Sequence, residues 1–328
     1  MSLYVNALAS AASTTWTRFW RGTPACPSWT YTQEIVVGIL RDVNDNATLD
    51  QVRANELDNP PVAGTKEVPA TGCPVKSVWL QTDDYVEGAS SGGGVIVHIH
   101  GGAFVQGTLK STRRLASKVA LATGCRVLLI ELRLAPEHKF PAPIEDTIAV
   151  YKWLLQAEQG YTPSRVAFVG ESSGGNVILG TALKLARENE APLPGFLILL
   201  SPNVDLSDSI PVTASNTDYI VPMRKAYNAR LMYAGSEEAF RNTLMSPLLA
   251  EDLNILAPCP ILIETGAVEL HQPRIAAFAA KAKAAGCNVE INEYADMPHV
   301  FQAFGSLFPE ATAASFKSIA AFTKAHFQ

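Results

Sequence analysis

The residue best placed to do chemistry is Ser172, in the run Gly170-Glu171-Ser172-Ser173-Gly174. A serine in G-x-S-x-G, after a strand and before a helix, is pushed out of the sheet on a sharp turn, where its Oγ can attack a carbonyl carbon. The apolar run 165–169 supplies the strand, and a helical pattern begins near Gly174. The helix N-terminus behind the serine adds positive potential where an oxyanion would form. A glycine- and serine-rich turn without chemistry has the same letters, so the motif needs partners. Ser173 stands one place late for a nucleophile, and its backbone N–H is the better candidate for use.

Three further segments supply those partners. His98-Ile99-His100-Gly101-Gly102-Ala103-Phe104 follows an apolar strand. A loop there can offer N–H groups to a tetrahedral oxyanion. Gly101, Gly102 and Ala103, joined by Ser173, form the expected oxyanion hole, with the N–H groups of Gly102, Ala103 and Ser173 as donors. His100 is read as a histidine that orders the loop, and His98, on the other face of the strand, as core. A general base belongs after the last strand, and His299 follows the strand pattern 288–294. His138 lies in a proline-rich loop, His271 lies too near the expected acid, and His326 is two residues from the end. The acid belongs after the strand pattern 260–265, which places Glu269 where it can accept Nδ1–H of His299. Glu264 is the rival, inside the strand pattern. Asp296 is nearer His299 in sequence but is read as a loop residue. The order Ser172, Glu269, His299 is the one this type of site requires.

The elements that must hold these residues are legible as an alternation. Strand patterns fall at 77–82, 94–98, 126–132, 165–169, 195–200, 260–265 and 288–294. The central ones are short continuous apolar runs such as VLLI and LILL, as in a parallel sheet covered on both faces. Helical patterns fall at 111–122, 144–159, 175–189, 273–285 and 311–325. This alternation predicts a doubly wound α/β sheet. Two stretches interrupt it. Residues 1–60 are helix-like and irregular, and 203–258 is too long for an ordinary crossover. Both are expected to cap the strand C-termini. The division is then 1–60 and 203–258 as cap segments, with 61–202 and 259–328 as two parts of one catalytic core. Trp16, Trp20, Phe104, Tyr219, Ile220 and Met223 are candidate apolar pocket contacts.

Of 328 residues, 48% are hydrophobic and 17% charged, so a large core is available and disorder is not expected. The net charge is −5 and no basic block occurs, which argues against nucleic-acid binding. Cys26, Cys73, Cys125, Cys259 and Cys287 form no CxxC pair or Cys/His cluster, so no metal site is expected. They read as reduced thiols. No run of 18 apolar residues predicts a membrane span, and the N-terminus lacks a secretory pattern. A cytoplasmic protein is the expectation.

Taken together, HGGAF at 100–104, RLAPEHKFPAP at 133–143, GESSGG at 170–175, SPNVDLS at 201–207 and MPHVF at 297–301 resemble the hormone-sensitive-lipase family of carboxylesterases. The resemblance covers residues 76–328. It implies an α/β-hydrolase fold: a mostly parallel eight-stranded sheet flanked by helices, with a helical cap. It also implies a Ser–His–Asp/Glu triad, a small-molecule ester substrate, hydrolysis of short- to medium-chain carboxylic esters, and no cofactor. Homodimers are common among such folds, and no signature here marks one. Three departures stand out. The usual Asp-Ser-Ala of the serine turn is Glu171-Ser172-Ser173. The third oxyanion-loop position is Ala103 rather than Gly. The usual acid run D-x-L-x-D is Glu269-Leu270-His271-Gln272-Pro273. Amide, lactam or formamide hydrolysis by the same triad is the rival enzyme reading. A ligand receptor is the rival outside catalysis, since plant gibberellin receptors resemble this family but lack the histidine that His299 supplies.

Overall fold

The computed structural model describes residues 3–22, 26–85, 93–211 and 223–327. Eight strands form one sheet in the order β1-β2-β4-β3-β5-β6-β7-β8. They are β1 (Thr65–Pro69), β2 (Ser77–Thr82), β3 (Val95–Ile99), β4 (Arg126–Ile130), β5 (Val166–Glu171), β6 (Phe196–Leu200), β7 (Ile261–Gly266) and β8 (Val289–Tyr294). The pairs β1–β2 and β2–β4 are antiparallel, and every other pair is parallel. The seven strands read from apolar runs are present. The eighth, β1, has the sequence TKEVP and little burial. An edge strand that buries only parts of Thr65 and Val68 needs no apolar run, which is why pattern reading passes over it.

Alternation along the strands sorts side chains onto two faces. Val95, Val97, Ile99, Val166 and Phe168 pack with α5 (Ala142–Leu154), α6 (Ser173–Glu188) and α8 (Gln272–Ala284). Ile96, Ala167 and Val169 pack with α4 (Leu109–Thr123) and α9 (Pro309–His326). Chain punctuation agrees with the sequence: Gly124 ends α4 in the left-handed conformation.

The two interruptions behave differently. Residues 1–60 form α1 (Leu3–Arg21), α2 (Tyr31–Asn46) and α3 (Leu49–Ala54), with α2 against α7 (Met223–Ala234). Within 203–258, α7 faces the strand C-termini, whereas Met245, Leu248, Leu253 and Leu256 are buried in the main core. The N-terminal segment is pinned to the body by side chains. Ser28 N–H donates to the Asp296 carboxylate at 2.9 Å, and Trp29 Nε1–H to the Asp296 carbonyl at 2.7 Å. Among the described residues no helix is long and apolar enough to cross a membrane.

Candidate active site

β5 ends at Glu171, and α6 begins at Ser173. Between them Ser172 has φ 54° and ψ −119°. A non-glycine residue there is strained, at a cost of about 1–3 kcal/mol, and the strain lifts its side chain off the sheet. A Cβ on Gly174 would come within 2.1 Å of the Ile99 carbonyl oxygen, so only glycine lets α6 start this close to β3.

His299 Nε2 lies 2.8 Å from Ser172 Oγ, and His299 Nδ1 lies 2.6 Å from Glu269 Oε2. Residues 127 and 30 positions apart are thus brought into one hydrogen-bonded chain. Glu269 is fully buried. Its other oxygen accepts the Thr265 hydroxyl and, at 3.0 Å, the Gly266 N–H. The loop carrying His299 passes so close to β7 that a Cβ on Gly266 would meet the Met297 carbonyl at 2.1 Å. Glu264 is turned elsewhere, accepting from Asn292 at 2.8 Å and Tyr294 at 2.6 Å. Asp296 holds the N-terminal segment, as described above, rather than His299.

Facing Ser172 is the loop after β3. Ala103 (φ 54°) and Phe104 (φ 68°) both adopt the left-handed region, which turns the chain over the serine. The N–H groups of Gly102, Ala103 and Ser173 donate to no acceptor among the described residues. The expectation for Gly101 is corrected, because its N–H donates to Glu171 Oε1 at 2.9 Å and is not free for a ligand. His100 orders the loop: its Nδ1 meets the Gly101 carbonyl at 2.7 Å, and burial pushes its pKa down. His98 is fully buried, with Nε2 2.6 Å from Glu171 Oε2. Burial alone would raise the Glu171 carboxyl. The charge and hydrogen bond of His98, with the Gly101 N–H and His100, hold it below the usual carboxylate range.

A cavity of about 470 Å³ opens above Ser172. It is lined by Ala47, Leu49 and Val52 from the N-terminal segment, by Ala229 and Arg230 of α7, and by Phe104, His271 and His299. Phe104 is held there by stacking on Tyr233, with ring centroids 4.0 Å apart. The pocket expectation fails for Trp16 and Trp20, which are 64% and 69% exposed and line no part of this cavity. Both stand on one face of α1, ring edge to face at 5.7 Å. The helix instead packs through small and polar residues: Thr14 lies against Gly38 of α2, and Arg18 pairs with Glu34. Tyr219 and Ile220 lie outside the described residues. Met223 opens α7, and its side chain is also outside them. His271, set aside by sequence reasoning, packs against the His299 ring at 5.3 Å between centroids. The signal for it was its place in the acid run, where the family has leucine. Among the described residues no group of three or more His, Cys, Asp or Glu side chains is arranged to hold a metal ion.

The arrangement can deprotonate a hydroxyl, deliver it to a carbonyl and stabilise the resulting oxyanion. Comparison with known proteins agrees in kind. Residues 96–303 match a family model described as the alpha/beta hydrolase fold. The chain is 32% identical over 240 residues to Carboxylesterase NlhH of Mycobacterium tuberculosis, covering 70% of this chain and 73% of that one. It is 32% identical over 223 residues to an esterase of Acinetobacter venetianus, covering 66% and 70%. Among solved structures it superposes with TM-score 0.79 and 30% identity on an esterase from the bacterial hormone-sensitive lipase family, covering 92% of this chain and 100% of the other. With fold, site and relatives in agreement, the chain belongs to the α/β-hydrolase-fold family and, within it, to the hormone-sensitive-lipase-like carboxylesterases.

Proposed function

We propose that this ester-hydrolysing enzyme works through an acyl-enzyme intermediate on Ser172 and acts on short- to medium-chain carboxylic esters. The observation that carries the reading is the continuous chain Ser172 Oγ–His299–Glu269, with contacts of 2.8 and 2.6 Å. As Oγ attacks the ester carbonyl, its proton passes to His299 Nε2 and the Oγ–C bond forms. The buried Glu269 carboxylate accepts Nδ1–H, fixes the tautomer and stabilises the imidazolium. The N–H groups of Gly102, Ala103 and Ser173 receive the oxyanion, and one such donor is typically worth about 3–4 kcal/mol. Collapse breaks the bond to the leaving alcohol, which takes the proton from Nε2. Water then repeats the sequence and frees the acid.

The cavity, about 470 Å³ and within the usual range of small-molecule pockets, gives room above Ser172 for such an ester. Ser172→Ala is the test. Turnover of p-nitrophenyl butyrate should fall by at least about 10⁴-fold, with an unchanged circular dichroism spectrum. A folded Ser172→Ala protein with full activity would falsify the assignment. A chain-length series from acetate to decanoate should peak at or below the middle of the range.

A further inference from the structure

The cavity above Ser172 has one wall that the acyl-transfer steps do not use. His271 stands on it, 6% exposed, and neither of its ring nitrogens has a hydrogen-bond partner among the described residues, Nδ1 being sealed off inside the protein. A buried ring nitrogen left unpaired is costly. Leucine, the usual residue of the acid run, would fill the space without that cost. Arg230 lines the same cavity, but its Nε–H is sealed from it, and its two terminal nitrogens are engaged by Asp208 and the Leu206 carbonyl. His271 is therefore a polar ring without a partner in a cavity lined by Leu49, Val52 and Phe104 as well as by Asn44, Glu56 and Asn203.

The charges nearby select what this wall can take. Arg230 forms a two-pronged pair with Asp208 at 2.6 and 2.7 Å. Arg274 lies 2.9 Å from Asp208 and 3.8 Å from Asp205. Two guanidinium groups are thus matched by two carboxylates, and no positive charge is left over for an anionic substrate. Burial, together with the nearby His299, Arg274 and Arg230, holds His271 well below the ordinary histidine range. It therefore meets a ligand as a neutral imidazole, able to donate or accept one hydrogen bond.

We propose that His271 is a specificity-determining residue: its neutral ring, on the cavity wall, hydrogen-bonds a neutral hydroxyl or carbonyl oxygen on the ester substrate, away from the scissile group. This rests on the reading of Ser172 as the nucleophile of ester hydrolysis. It makes the preferred substrate an oxygenated ester rather than a plain alkyl one.

Paired esters test it. One pair, p-nitrophenyl butyrate and p-nitrophenyl 3-hydroxybutyrate, places the oxygen on the acyl side. The other, butyl acetate and 3-hydroxybutyl acetate, places it on the alcohol side. The readout is the ratio of kcat/KM for oxygenated over plain ester, in wild type, His271→Leu and His271→Gln. In at least one pair wild type should favour the oxygenated ester, and His271→Leu should cut that ratio about tenfold. His271→Gln, which can still donate and accept, should keep part of it. The responding pair locates the oxygen. A wild-type ratio below one in both pairs overturns the proposal. So does a ratio unchanged in His271→Leu or, if the leucine variant fails to fold, in His271→Ala. Hydrolysis of plain esters without preference sinks the subsite alone, whereas no hydrolysis of any ester removes the Ser172 reading and the subsite with it.

Discussion

Two carboxylate–histidine pairs flank Ser172. Glu171 meets His98 at 2.6 Å, and Glu269 meets His299 at the same distance. All four side chains are buried. What differs is the second nitrogen of each imidazole. His299 turns its Nε2 to Ser172 Oγ, at the floor of the cavity. His98 keeps its Nδ1 buried, with no partner among the described residues. The same pair chemistry therefore has two consequences. One pair reaches the cavity, where the proposed mechanism has it move a proton. The other ties β3 to the end of β5, and through Glu171 Oε1 it also fixes Gly101 at the root of the oxyanion loop.

The largest effect should come from breaking the pair that faces the cavity. Glu269→Gln keeps the shape but no longer holds the Nδ1–H tautomer or the imidazolium. By analogy with the acid of other triads, kcat should fall about ten-thousandfold, with KM little changed. Steady-state kinetics on p-nitrophenyl butyrate measure this. A loss below tenfold would give the carboxylate role to another residue.

Glu171→Gln is the matching change in the other pair, and it should separate stability from catalysis. Removing one partner of a buried pair costs about 3–5 kcal/mol. For a chain of this size, that lowers Tm by roughly 4–7 °C. The catalytic loss should stay within about tenfold, because the amide can still accept the Gly101 N–H. Thermal denaturation and kinetics on the same preparation decide. If kcat falls as far as in Glu269→Gln, the two pairs are not divided as argued.

The same contrast explains what the sequence could and could not reveal. Ser172 and Glu269 each sit just beyond a strand with a strong apolar run, and His299 follows the last strand pattern, so local pattern and chain order point to all three without any contact being known. The helices α4, α8 and α9 are legible for a similar reason, since each buries one face against the sheet, whereas α5 and α6 are buried along most of their length. β1 is hidden because an edge strand with exposed residues such as Lys66 and Glu67 buries too little to leave an apolar pattern. Trp16 and Trp20 mislead for the opposite reason: large apolar side chains suggest a pocket, yet α1 docks through Thr14 and Arg18. The engagement of the Gly101 N–H depends on a carboxylate 70 positions away. His271 was discounted for its closeness to Glu269 in sequence. At the start of α8, two residues suffice to turn its ring from the acid onto His299.

The smallest expected effect is a slope in stability against pH, and it separates the histidines that resist a proton from the pairs that use one. Burial lowers the pKa of both His271 and His100 from the ordinary value of 6.5. The unfolded chain therefore takes up protons near pH 6.5 that these rings refuse in the fold. Stability is full above that range and declines as pH falls through it. Glu171 acts in the same direction lower down. Its carboxyl is held below 4.5, so the stability it contributes is present above that value and lost as pH drops through its folded pKa. Tm measured from pH 8 to pH 5 should be flat at first and then fall. His271→Leu removes one refusing ring, so its curve should fall less steeply between pH 7 and pH 5.5. Parallel curves for wild type and His271→Leu would mean that the buried ring takes its proton as readily in the fold as out of it.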